Sequence, residues 1–155
     1  EYFDQKNGER YKPWVIEASS GLNRIVMMML DNAWTKEKID DTGDDKKDYR
    51  TVLKIKPSLA PVKAAILPLV KKKGLPDKAK EIKKALHKQF VVEYDEKGSI
   101  GKRYRRQDEV GTPFCITVDF DTLEDNSVTI RDRDTMEQER VKIENLSGFL
   151  MGKVM

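Results

Sequence analysis

Cysteine is almost missing from this chain of 155 residues: Cys115 is the only one. That excludes an internal disulfide framework and a cysteine-rich structural zinc site. A reducing, cytoplasmic setting is expected. Histidine is equally scarce. His87 stands alone on a lysine-rich stretch and is expected to be a surface residue near a helix C-terminus, not a catalytic base. With no other histidine to activate it, Cys115 is expected to be a small strand residue and not a nucleophile. Long apolar runs are missing too. Ile25 to Leu30 is six residues, far short of a membrane span. No basic stretch leads into an apolar one at the start, and the chain opens on Glu1 without an initiator methionine. A fragment without a secretory signal is therefore expected. Metal-ligand spacings, phosphate-cradling glycine loops and hydrolase motifs are absent as well, so no metal site is expected.

Charge is what the chain has in quantity. Charged residues make 37% and hydrophobic ones 38%, a globular composition with a charge-rich surface. The length allows one domain plus a remnant of another. Residues 1–50 carry nine basic and eleven acidic side chains, whereas residues 51–155 carry twenty-one and sixteen. A basic excess confined to one segment hints at a polyanionic partner, though a modest one.

Three segments separate along the chain. In residues 1–34, Lys12 to Glu17 reads as a short strand, and Ser19 or Ser20 as the N-cap of a helix. Leu22, Ile25, Val26, Met29 and Leu30 recur at helical spacing. Residues 35–50 have almost no apolar content and read as a solvated linker. Residues 51–155 read as a complete domain. Val62 to Leu69 is a nearly continuous apolar run, expected to be a strand covered on both faces. A helix follows Gly74, with its apolar stripe on Ala79, Ile82, Leu86 and Phe90. Phe90 to Tyr94 is the next strand, and Ser99 caps a helix that ends at Gly111. Period-two alternation then marks three half-buried antiparallel strands around Phe114–Phe120, Val128–Arg131 and Arg140–Ile143, and a helix closes the chain. The expected fold class is α/β: a five-stranded mixed sheet flanked by helices, preceded by a strand–helix remnant.

Two constellations carry chemistry. In Glu17-Ala18-Ser19-Ser20-Gly21-Leu22-Asn23-Arg24 a carboxylate, a close-approach glycine and an arginine follow one another. That order suits a small cationic ligand beside a phosphate-bearing one. It equally describes a local ion pair beside a turn. Further on, Lys102, Arg103, Arg105 and Arg106 put four basic residues on a short helix. They read as a solvated face with Tyr104 turned to the core, or as a phosphate track for an RNA loop. Asp119, Asp121, Arg131, Asp132, Arg133 and Asp134 cluster on neighbouring strands and turns. This mixture could be an exposed salt-bridge ladder or a base-reading surface.

GERYKPWVIEASSGLNRIV resembles motif 3 of class II aminoacyl-tRNA synthetases, and more closely that of the dimeric-type glycyl-tRNA synthetases. Ala18 stands where proline is usual and Asn23 where aspartate is common. The run from Asp95 to Asp134 resembles the anticodon-binding domain of the same family, as does the entry KIKPSLAPVKAAILPLVKKKGLPDKA. Residues 1–34 then correspond to the end of a catalytic domain and 51–155 to an anticodon-binding domain. The resemblance implies that Glu17 and Ser19 hold the glycine ammonium and that Arg24 binds ATP. It implies a parent homodimer that uses ATP and Mg2+ to join glycine to tRNA. It also makes Arg103, Arg105, Arg106, Asp119, Asp121, Thr122, Arg131, Arg133 and Asp134 candidates for anticodon contact. Glycine codons begin GG, so that anticodon carries two cytosines. Cytosine offers an amine that aspartate accepts and a carbonyl that arginine reaches. The chain alone is expected to bind tRNA weakly, to carry no bound cofactor and to aminoacylate nothing. The other readings are a non-catalytic module of this fold, as in a polymerase accessory subunit, and a prolyl- or threonyl-type relative.

Overall fold

The computed structural model describes residues 1–40, 48–72 and 74–154. Its centre is a five-stranded sheet in the order β6-β5-β7-β8-β9. β5 (Ala64–Pro68) lies parallel to β6 (Val92–Tyr94) and to β7 (Phe114–Val118). β8 (Ser127–Asp132) and β9 (Gln138–Lys142) extend the sheet antiparallel from β7. The mixed five-stranded α/β sheet expected from the sequence is thus present.

Helices reach the sheet from both sides because the two parallel connections run in opposite directions away from β5. α2 (Leu75–Leu86) carries the stripe Ala79, Ile82 and Leu86 onto one face. That face also receives α5 (Leu146–Val154) through Leu146, Leu150 and Val154, closing over Ile66, Ile116, Val128 and Ile130. α3 (Ile100–Val110) covers the other face, with Ile100 and Tyr104 against Ala65, Leu67 and Cys115. β5 and β7 are buried along their whole length, which explains the unbroken apolar run of β5.

The structure corrects four readings of the sequence. Residues 12–21 form no strand: Trp14 and Ile16 are fully exposed, and among the described residues nothing pairs beside them. The regular structure before them is a small hairpin, β1 (Tyr2–Asp4) against β2 (Glu9–Tyr11). α1 (Leu22–Ala33) starts from Gly21, not from a serine cap. The polar segment 35–50 is not all spacer. β3 (Trp34–Lys38) pairs antiparallel with β4 (Tyr49–Leu53), while residues 41–47 lie outside the described residues. Finally, Phe120 does not continue β7. Asp119 accepts the Thr122 N–H at 2.9 Å and starts a capping box, so the chain turns into α4 (Phe120–Asp125). Strand β7 is therefore central and fully buried instead of half-buried.

Candidate nucleic-acid interface

Side chains alternate across a strand, so register decides which ones share a face. Cys115 sits beside Arg131, and Arg131 beside Gln138. Thr117 sits beside Thr129, and Thr129 beside Arg140; Lys142 follows opposite Ser127. All lie on the face that α3 covers. But the apolar contacts of α3 on the sheet are with β5 and β7, and it meets β8 through the Asp108–Arg131 pair. The β8–β9 half of that face is left open as a polar shelf of Thr129, Arg131, Gln138, Arg140 and Lys142, bordered by Lys102, Tyr104 and Arg105 of α3. On the opposite face Val128, Ile130 and Val141 join the apolar core, and Glu139 stands exposed at its edge. One sheet thus has an oily side and, over half its width, a wet cationic side.

The shelf is braced by ion pairs. Arg131 reaches Asp108 of α3 with two hydrogen bonds, 2.8 and 3.1 Å, and its guanidinium lies 5.0 Å from the Tyr104 ring centre. Burial works against the Arg131 charge, but Asp108 outweighs it and raises the guanidinium pKa. Arg140 bridges Asp119 at 2.9 Å and Asp125 at 3.1 Å, and Lys142 donates to the Asp125 carbonyl at 2.6 Å. Lys102 is exposed and, among the described residues, makes no hydrogen bond or ion pair, while Arg105 lies 3.7 Å from the Asp108 carboxylate.

The residues singled out in the sequence are dispersed. Arg105, Asp119 and Arg131 meet on the shelf, though Arg131 is buried in its pair. Thr122 is buried in the capping box of α4, and Asp121 is exposed on that helix. Arg103 turns toward the β6 edge, where it donates to the carbonyls of Pro68 at 2.6 Å and Leu69 at 3.1 Å. Arg106 faces the same way and pairs with Asp95. Arg133 is 2% exposed; it donates to the Gly111 carbonyl at 2.8 Å and to the Asp134 carboxylate, also at 2.8 Å. Arg103, Arg131 and Arg133 therefore have their guanidinium groups committed inside the molecule. Glu17 and Ser19 lie exposed on the irregular segment and Arg24 on the first turn of α1, and the two charged groups form no ion pair with each other.

Sequence reasoning missed Gln138, Arg140, Lys142 and Lys102 as a set. A helical signal was available: Lys102–Arg105 and Arg103–Arg106 are two i,i+3 pairs on different helix faces. It also missed the buried Arg50, which donates to Glu37 at 2.8 Å, to Asp108 at 3.3 Å and to the Arg133 carbonyl at 2.8 Å. Cys115 is buried and its thiol is pushed up to about 12, by burial first, so it is no thiolate nucleophile at neutral pH. Among the described residues no cluster of three or more His, Cys, Asp or Glu could hold a metal, and no helix is long and apolar enough to cross a membrane.

These pairs predict an acid limit to stability. Burial alone would raise the carboxyls of Asp119, Glu37 and Asp95. Arg140 and Thr122 outweigh it at Asp119, Lys54 and Arg50 at Glu37, and the Lys97 N–H and Arg106 at Asp95, so all three end below their ordinary values. A depressed folded-state pKa adds stability above the unfolded value of about 4 and loses it as pH falls through the folded one. The urea midpoint should stay level down to about pH 5 and fall steadily below about pH 4. Arg140→Gln should flatten that fall; an unchanged slope would mean the Arg140 pairs add nothing.

Residues 63–153 match the family model described as anticodon binding domain. That is more than half of the chain, and the chain belongs to this family. Within it the similarity is to glycine–tRNA ligases. The chain is 55% identical over 142 residues to that of Treponema denticola, covering 91% of this chain and 31% of the relative. It is 56% identical over 149 residues to that of Clostridium perfringens, covering 96% and 31%. The chain thus spans about a third of the length of these relatives. Among solved structures it is similar to the RNA binding domain of threonyl-tRNA synthetase from Cryptosporidium parvum, with a TM-score of 0.59 and 24% identity over 64% of this chain and 25% of that one. That similarity is one of fold.

Proposed function

We propose that this chain is the C-terminal, anticodon-reading part of a glycine–tRNA ligase, and that tRNA docks on the open half of the sheet. The carrying observation is the uncovered β8–β9 shelf, where Lys102, Arg105, Arg140 and Lys142 gather beside α3 while the reverse face is apolar. Such a cationic, partly aromatic sheet surface suits a splayed RNA loop, in which phosphates meet cations and bases meet flat side chains. Asp121, exposed on α4, supplies an acceptor of the kind cytosine amines need, while Asp119 is already taken up by Thr122 and Arg140.

The whole enzyme would join glycine to tRNA at the expense of ATP, with Mg2+ on the phosphates, as a cytoplasmic homodimer. Glu17 and Ser19 would meet the glycine ammonium, and Arg24 the nucleotide. The charges of Glu17 and Arg24 and the hydroxyl of Ser19 fit those groups, but each residue is open to solvent here, so a closed pocket needs further protein around them.

The test is binding of a short RNA hairpin that carries a cytosine-pair anticodon, measured across salt. Lys142→Ala and Arg105→Ala should each weaken binding for every loop sequence and lower the salt slope by about 0.7–0.9 per lost phosphate contact. Replacing an anticodon cytosine should cost about 1–3 kcal/mol. Binding indifferent to both would favour a general module of the same fold.

A further inference from the structure

We infer that a row of lysines on the outer side of α2 is a second docking surface of the domain, one that takes the sugar–phosphate backbone of RNA without regard to sequence. It lies away from the shelf and goes beyond the reading given to that face.

The basic charge of the chain is unevenly spread. Residues 71–88 hold eight lysines and two acids, Asp77 and Glu81, a net of +6, whereas the whole chain carries only +3. One loop and one helix therefore hold all of the basic excess, and the remainder is net acidic. α2 turns Leu75, Ala79, Ile82 and Leu86 into the core. With about 3.6 residues per turn, Lys80 and Lys84 fall on the side directly opposite that stripe. Lys88 continues the row in the turn beyond the helix, where the His87 N–H still donates to the Lys83 carbonyl at 2.8 Å. All three are exposed. Successive members rise by about 6 Å along the axis, close to the interval between neighbouring phosphates of an RNA strand. The sheet separates this row from the shelf, because α2 covers the apolar face and the shelf belongs to the other.

Folding gives no reason for the row. Cations suit a helix C-terminus, which favours Lys84 and Lys88. Lys71 and Lys72, however, stand exposed just before the N-terminus of α2, at the positive end of its dipole. Like charges four residues apart repel, and Lys80, Lys84 and Lys88 make two such pairs. Lys80 meets Asp77 only at 4.0 Å, while Lys84 and Lys88 make no hydrogen bond or ion pair among the described residues. A polyanion laid along the row would relieve that repulsion. What the row lacks selects the polyanion. Among the described residues α2 exposes no large apolar side chain. Protein interfaces are built on an apolar centre and are poor in lysine. Lysines are point charges that attract phosphates without the planar fork used for reading a partner's shape.

The probe is an RNA duplex without a loop, titrated onto the full chain across salt, beside the anticodon hairpin. Lys80→Gln, Lys84→Gln and Lys88→Gln combined should weaken duplex binding roughly tenfold at low salt and lower the salt slope by about 0.7–0.9 per lost phosphate contact. The melting temperature should hold or rise, since repelling charges leave the surface. Lys80→Arg, Lys84→Arg and Lys88→Arg combined should bind as the unchanged chain does, and Glu81→Gln should tighten binding. Whole tRNA separates two sources of the same backbone chemistry. A duplex that still binds the tRNA-saturated chain supports a second RNA, and a duplex displaced by tRNA supports a stem of the same molecule. If the glutamine variant binds duplex as before, or if polyglutamate binds the unchanged chain more tightly than duplex does, the row is no RNA surface. Weakened hairpin binding by Lys142→Ala would then leave the shelf standing without it.

Discussion

Asp108→Ala should cost the fold about 3–5 kcal/mol, the range seen when one member of a buried ion pair is removed. Asp108 is completely buried. It receives Arg131 at 2.8 and 3.1 Å and Arg50 at 3.3 Å, and the side chains of those two arginines are only 6% and 1% exposed. Arg50 would retain Glu37 and the carbonyls of Arg133 and Asp134. Among the described residues Arg131 would retain the face of Tyr104 and the neighbouring Cys115 thiol, neither of them a counter-charge. The penalty therefore falls on Arg131, a guanidinium left in a dry place without its counter-charge. The melting temperature should drop by on the order of 10 °C. Glu81→Ala supplies the contrast. It breaks the exposed Lys78–Glu81 pair at 3.1 Å and should change stability by under about 0.5 kcal/mol. If Asp108→Ala cost no more than Glu81→Ala, the cluster would have to be hydrated in solution.

The same cluster shows where the sequence is legible and where it is not. The stripe Ala79–Ile82–Leu86 and the all-apolar β5 could be read directly, because apolar burial leaves a period in the sequence. Arg50, Asp108 and Glu37 leave none. Each stands in a charge-rich stretch that reads as solvated, and only tertiary contact shows that the three meet. They also explain why the polar segment 35–50 holds strands. β4 is pinned to α3 and to the turn after β8 by Arg50, so ion pairs do there what apolar side chains do in the sheet. Residues 12–17 fail in the reverse sense. They have strand-like residues, but a strand needs a neighbour, and among the described residues none lies beside them.

The candidate site divides along the same line. Four basic residues on α3 look alike in the sequence, yet Arg103 and Arg106 serve the β6 edge while Lys102 and Arg105 border the shelf. Arg140 and Lys142 share strand parity with Gln138, which the alternation with Val141 already implied. What sequence could not supply is the width of α3 relative to the sheet. The shelf exists because one helix covers two strands and stops. That depends on the crossover from β6 to β7, a property of the whole topology.

Gly111→Ala should be the most damaging replacement among the described glycines, at about 2–4 kcal/mol. Gly111 ends α3 with φ at +88°, its N–H on the Gln107 carbonyl at 3.0 Å. A methyl group there would lie 2.9 Å from the Leu53 carbonyl oxygen, and 3.4 Å from both the Leu53 Cβ and the Ile55 Cδ1. The oxygen is main chain at the end of β4 and cannot swing aside. Alanine would have to push the β3–β4 hairpin off α3, which pulls Arg50 away from Asp108. Gly98→Ala separates the two parts of the cost. Gly98 has φ at +80°, but its nearest neighbour would be the flexible Lys102 Cδ at 3.9 Å. That change should cost only the backbone strain, about 1–2 kcal/mol. Urea denaturation of both variants gives the difference, and that difference measures how closely the hairpin is held to the helix. Equal losses at the two positions would mean that the hairpin yields freely, and the Arg50 clamp would then have to be weak in solution.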